Sequence, residues 1–182
     1  TRRNLNARAH YIDASSRAAI LLDDDTFDMH ADAEFGQIVR DLGMQGIASV
    51  RLDYRFPGDR AQCAIDALLA CQYLDDEGIN DVMLVGWSFG AAVALAAGSV
   101  GRIVRGVAAI YPPDLPECCV NWIGKKRLVV MDDGRNICQF GADARNVVPI
   151  RHYSREKLTK WIWRTLDFSR RANEDSLRVL AH

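Results

Sequence analysis

The sequence predicts an α/β protein in three layers, α/β/α, with a mostly parallel sheet covered on both faces by helices. Three observations carry this. Short, near-continuous apolar runs of strand length alternate with longer stretches whose apolar residues recur at helical spacing. The short runs are apolar on both sides of the pleat, as strands buried on both faces are. One of them, Val82-Met-Leu-Val-Gly86, passes through Trp87-Ser88-Phe89-Gly90 directly into an alanine-rich run ending at Gly98. That is a strand turning sharply into a helix.

Taken in order, residues 1–17 are polar and arginine-bearing and form a partly ordered lead-in or an edge strand ahead of a single domain over 18–182. Ala18-Ala-Ile-Leu-Leu22 is the first buried strand and ends in Asp23-Asp24-Asp25-Thr26. Ala31, Phe35, Ile38, Val39 and Leu42 recur at helical spacing, and Gly46 closes that helix. Residues 47–53 are a second strand, and Asp59 is placed to cap a helix over 61–74 that stops near Gly78. Strands follow at 82–85, 104–110, 127–131 and, more weakly, 145–150, with room for a short helix after Tyr111-Pro112-Pro113. A final helix over 154–168 places Leu158, Ile162 and Leu166 on one side. No repeat, low-complexity tract or linker interrupts the order.

Composition bounds the function. At 182 residues, 49% of them hydrophobic, the chain is long enough to bury a sizeable core as one domain. A net charge of -1 gives no electrostatic case for nucleic acid or a membrane surface. No apolar run approaches the roughly 20 residues that cross a bilayer, and no apolar core of a secretory signal follows Thr1. Five cysteines (Cys63, Cys71, Cys118, Cys119, Cys138) lack metal-type spacing. Cys63 and Cys71 fall in a helical apolar pattern as small core residues. A reduced, cytoplasmic setting is the expectation.

The chemistry concentrates at Ser88. A strand reversing into a helix forces its corner residue into unusual backbone geometry, and Gly86 and Gly90 carry no side chain to obstruct the crossing. The hydroxyl is thereby lifted to the N-terminus of the next helix, where the dipole and the free Phe89 amide favour negative charge. The plainer alternative is a chance turn whose serine merely caps the helix.

Gly86-Trp-Ser-Phe-Gly90, the Gly46-Ile-Ala-Ser-Val-Arg-Leu-Asp-Tyr54 segment and the order of elements resemble the α/β-hydrolase superfamily. Within it, the chain is similar to the small lidless dienelactone-hydrolase-like esterases, over roughly residues 18–168. The resemblance implies a reduced, lidless fold and a triad in the order serine, acid, histidine. Ser88 would be the nucleophile. His152, between the last strand and the last helix, would be the general base. Asp133 would be the orienting acid, with Asp143 and then Asp132 as alternates. The oxyanion would be held by backbone amides of Phe89 and of Asp25 or Thr26. Trp87, Phe89 and Tyr111 would shape the substrate pocket, although core packing accounts equally well for the first two. The connection 111–126 is too short for a large lid, which favours small esters or thioesters. No cofactor or metal is implied, and homo-oligomerisation is left open.

The chain departs from the family after its first strand, where relatives read His-Gly and this chain reads Asp23-Asp24-Asp25-Thr26. Carboxylates beside a developing oxyanion oppose it unless they point away or are neutralised. A lost oxyanion donor costs about 3–4 kcal/mol of barrier.

Two other readings are open. Asp23 with Asp25, and Asp132 with Asp133, could hold magnesium in a haloacid-dehalogenase-type phosphatase, though acidic loop tips commonly just solvate a rim. A catalytically degenerate binding protein on the hydrolase fold would explain the missing His-Gly. The basic residues Arg155, Lys157, Lys160, Arg164, Arg170 and Arg171 read as a solvated helix face before they read as a site for an anionic partner. Among the other histidines, His10 precedes the fold, His30 lies in the loop after the first strand, and His182 ends the chain.

Overall fold

The computed structural model of the protein describes residues 6–10, 15–23, 29–113, 127–131, 147–150 and 152–180. In chain order the elements are β1 (Asn6–His10), β2 (Arg17–Leu22), α1 (Met29–Gly43), β3 (Ala48–Asp53), α2 (Arg60–Asp76), β4 (Asp81–Trp87), α3 (Phe89–Val100), β5 (Val104–Ile110), β6 (Arg127–Met131), β7 (Val147–Ile150) and α4 (Arg155–Leu180). The strands described form a seven-stranded sheet in the order β1-β3-β2-β4-β5-β6-β7. Only the edge pairing of β1 with β3 is antiparallel; the others described are parallel. A parallel sheet needs a crossover between strands, and the helices supply it on both faces.

The apolar runs split between two cores by the alternation of the pleat. Ala18, Ile20 and Leu22 of β2, with Val82 and Leu84 of β4, join Cys63, Ala67 and Leu74 of α2 and Ala91, Ala94 and Ala97 of α3. On the other face, Ala19 and Leu21, with Met83 and Val85, meet Phe35, Ile38 and Leu42 of α1 and Leu158, Ile162 and Leu166 of α4. Ile20, Leu21, Leu22, Met83 and Leu84 have essentially no exposed surface, and each such side chain stabilises the fold by about 1.5–3 kcal/mol. β2 and β4 are therefore the rigid centre of the sheet. Their C-terminal ends, at Asp23 and Ser88, inherit that rigidity.

One buried charge fixes the loop beside this centre. Asp66 of α2, fully buried, accepts from the Arg55 backbone N–H at 2.8 Å and from Arg55 Nε at 2.6 Å. A buried carboxylate is tolerable only when paired in this way. The pairing pins the turn that carries Tyr54 from β3 into α2.

Three expectations change. His10 does not precede the fold: it lies in β1, opposite Ser49 of β3. His30 stands in the first turn of α1, which begins at Met29 rather than in the loop after β2. The final helix continues to Leu180, well past residue 168. The apolar stripe ends near Leu166, but residues 169–180 contain neither glycine nor proline, so nothing in the backbone stops the helix. The expected short helix after Pro113, and with it the length of any lid, lies outside the described residues. Among the described residues no helix is long and apolar enough to cross a membrane.

Candidate active site

Ser88 occupies the single residue between β4 and α3, with φ 48° and ψ −118°. A non-glycine residue at positive φ costs on the order of 1–3 kcal/mol and persists only where its surroundings enforce it. Here two close approaches enforce it. A Cβ on Gly86 would lie 2.1 Å from the Gly90 carbonyl oxygen, and one on Gly90 would lie 2.3 Å from that of Leu22. The Ser88 N–H donates to the Ile110 carbonyl of β5 at 2.9 Å, which ties the corner to the neighbouring strand. Ser88 is solvent-exposed and stands at the N-cap position, yet its side chain makes no capping hydrogen bond. Helix capping therefore does not account for the serine. Its hydroxyl stands clear at the positive end of α3, where the first helical amides have no partner within the helix.

The segment carrying His152 returns to the same rim. β7 lies three strands from β4 in the sheet order, about 14 Å at normal strand spacing. Yet the Tyr153 ring is 6.4 Å from that of Trp87, edge to face. Tyr153 thus stands near the end of β4, and His152, its neighbour in sequence, is exposed. Tyr153 is held firmly. Its hydroxyl donates to Glu34 Oε1 of α1 at 2.5 Å. Burial, and then the bond to Glu34, push its phenol pKa far above the ordinary value, with Arg155 opposing and Tyr111 adding to the rise. Arg155, at the start of α4, donates to Asp41 of α1 at 3.0 Å. Tyr111 follows Ile110 on β5, takes φ 48° and is 46% exposed. Ser88, Tyr111 and the 152–153 segment thus share one end of the sheet.

No protein-family model matches the sequence, and no curated protein matches it significantly. Solved structures do match its shape. Est1E from Butyrivibrio proteoclasticus with ferulic acid bound superposes with a TM-score of 0.68 at 13% identity, over 88% of this chain and 93% of that one. An esterase of Pyrococcus furiosus gives 0.70 at 17%, over 90% and 88%. An alpha-beta serine hydrolase homologue from Coxiella burnetii gives 0.66 at 14%, over 89% and 91%. The fold is that of the α/β-hydrolases.

On an α/β-hydrolase fold the loop after β2 is where a second oxyanion amide is sought, and part of that loop is described. The backbone of Leu22 and Asp23 lies against Gly90: a Cβ there would be 2.3 Å from the Leu22 oxygen and 3.0 Å from the Asp23 nitrogen. Asp23 itself is paired with Arg51 of β3 at 3.5 Å. The Arg51 guanidinium in turn lies over the Phe35 ring, 4.7 Å from its centroid, and Phe35 packs edge-on against Trp87 at 4.9 Å. The first of the three loop carboxylates is thus held by a cation on the α1 side of the sheet. The phosphatase reading would require that same Asp23 carboxylate as a nucleophile.

Asp24, Asp25 and Thr26 lie outside the described residues, as do Asp132, Asp133 and Asp143. The structure therefore places Ser88 and the His152 segment, and leaves the acid and the Asp25 amide as sequence expectations. Trp87 and Phe89 are both half-buried. The Trp87 ring packs between Phe35 and Tyr153, and the Phe89 ring is edge-on to Tyr54 at 6.2 Å. Three contributors escaped the sequence reading: Arg51, Glu34 and Tyr153. Only Tyr153 carried any local signal, by standing next to His152.

Proposed function

We propose that the protein is a serine hydrolase that cleaves a small ester or thioester through an acyl-enzyme. The observation that carries this reading is the strained, uncapped and exposed Ser88 at the β4–α3 corner. A serine kept at positive φ by two glycines, without a capping role, has a cost that reactivity explains. In the proposed sequence Ser88 Oγ attacks the carbonyl carbon and His152 accepts its proton. The tetrahedral oxyanion is held by the N–H groups of Phe89 and Asp25. Collapse expels the alcohol or thiol, protonated by His152, and water repeats the steps to free the acid. Asp133, or in its place Asp143 or Asp132, orients the imidazole and stabilises it when charged. The pairing of Asp23 with Arg51 removes one objection, since a neutralised carboxylate no longer opposes a nearby oxyanion. Tyr111, and the exposed parts of Trp87 and Phe89, offer an aromatic wall to a small acyl or alcohol group. The bound ferulic acid of Est1E makes aromatic acyl esters the first substrates to try.

The test is intact-mass analysis after treatment with a fluorophosphonate. A single adduct on the native protein, lost in Ser88→Ala while the thermal melt is retained, is the expected result. A folded protein that takes no adduct and hydrolyses no aryl ester would leave the fold with a binding role instead.

A further inference from the structure

We propose that Arg51 is a positioning residue for the chemistry at Ser88: it holds the Asp23 carboxylate on the α1 side of the sheet and cancels a charge that would otherwise oppose the oxyanion. The inference rests on the hydrolase reading. It goes further by giving a role in the rate to a residue that touches neither the substrate nor the serine.

Asp23 stands close enough to matter. Leu22 pairs with Gly86 across β2 and β4, so Asp23 comes level with Trp87, one residue short of Ser88. Its backbone is pressed against the first turn of α3, since a Cβ on Gly90 would lie 3.0 Å from the Asp23 nitrogen. With neighbouring strands about 5 Å apart, the carboxylate stands within about 10 Å of the serine hydroxyl. At that range, and at the effective dielectric of a partly buried site, an uncancelled unit charge alters a rate by roughly tenfold. The Asp23 side chain is only 14% exposed, so solvent ions screen it poorly.

Arg51 supplies the cancelling charge. Leu21 is its neighbour in the parallel pairing of β2 with β3, and the alternation of a strand puts Asp23 on the same face as Leu21. The guanidinium comes within 3.5 Å of Asp23 and lies over the Phe35 ring. Phe35 in turn packs on Trp87, so the cation is placed from α1 and from the end of β4 together. Sheet stability does not call for an arginine at this position. Arg51 faces Arg8 directly across the β1–β3 pair, and like charges so placed weaken a sheet. An ion pair with both partners in part open to solvent adds little stability of its own. The cation is explained by where Asp23 stands, more than by what it adds to the fold.

The test is the rate at which a fluorophosphonate inactivates the protein, with thermal melts to establish folding. The saturating rate reads attack by Ser88, and the half-saturating concentration reads binding. Arg51→Met keeps an apolar stem on Phe35 but leaves Asp23 charged. It should slow the saturating rate by roughly tenfold, with the half-saturating concentration little changed. Asp23→Asn should not slow it, and Asp23→Asn combined with Arg51→Met should return it to within about twofold of wild type. Arg51→Lys keeps the charge and loses the planar stack, so its rate should fall between wild type and Arg51→Met. A pair that merely braces the fold would slow the reaction in Asp23→Asn as in Arg51→Met, and combining the two would not restore it. That outcome overturns the inference, as does an Arg51→Met protein that reacts at the wild-type rate. Should Arg51→Met fail to fold, Asp23→Asn decides alone, and a rate below wild type overturns the inference. In each of these cases the native protein still reacts and the hydrolase reading stands. A folded native protein that takes no adduct overturns that reading, and the inference falls with it.

Discussion

Ser88 and His152 stand at the same end of the sheet but are held there by different means. Ser88 is fixed by its own backbone: two flanking glycines, a bond from its N–H to Ile110, and no freedom for anything larger than hydrogen at residues 86 and 90. His152 is fixed through its neighbours. Tyr153 reaches Glu34 across 119 residues of chain and packs on Trp87, while Arg155 reaches Asp41. The position of the serine is written in five consecutive residues, whereas that of the histidine depends on a finished tertiary structure. A residue placed by covalent geometry survives changes elsewhere in the core. One placed by side-chain contacts is tuned by each of them.

Substitutions can separate these two modes of support. The largest effect is expected at the corner. Gly90→Ala would drive a Cβ to 2.3 Å from the backbone oxygen of Leu22, and neither side can yield. A loss of about 4 kcal/mol or more is expected by urea denaturation. Gly78→Ala, at φ 85° but in open space, should cost only about 1–2 kcal/mol. If the two cost the same, the close packing of the corner is not what constrains it.

Tyr153→Phe should have an intermediate effect. It leaves Glu34 without its phenol donor and should cost about 1 kcal/mol. Because the phenol pKa is raised on folding, the hydroxyl's stabilisation is fully present below the unfolded value of about 10 and is lost as pH rises toward the folded one. The gap between wild type and Tyr153→Phe in chemical denaturation should therefore be flat below about pH 10 and shrink above it. A gap that widens there would mean that Tyr153 ionises more easily in the folded state than in the unfolded one.

The smallest effect belongs to Arg155→Ala. Its ion pair with Asp41 is partly open to solvent, with side chains 38% and 28% exposed, so the change should stay within about 0.5 kcal/mol. A larger loss would show that the start of α4 relies on this contact more than its exposure suggests.

The architecture was legible because the signals that define it are local. The runs at 18–22, 104–110 and 127–131 coincide with strands to within a residue, since strands buried on both faces leave no polar position to blur their ends. The serine corner was legible for the same reason. The extent of α4 was not, because the apolar spacing of Leu158, Ile162 and Leu166 breaks off in the polar run 169–176. Asn6-Ala-Arg-Ala-His10 has no apolar pattern, so the sequence offers an edge strand there only beside a partly ordered lead-in; the edge strand is made by pairing with β3. The neutralising of Asp23 by Arg51 and the anchoring of Tyr153 by Glu34 join residues far apart in the chain. No periodicity or motif in one sequence marks such pairs.

The contact between Gly90 and the Leu22 carbonyl has a practical corollary for redesign. The first turn of α3 and the exit of β2 touch so closely that neither can be reshaped without disturbing the other. Exposed Tyr111, on the same rim, is under no such constraint from this contact. Variation around the corner belongs there, with the first turn of the helix left alone.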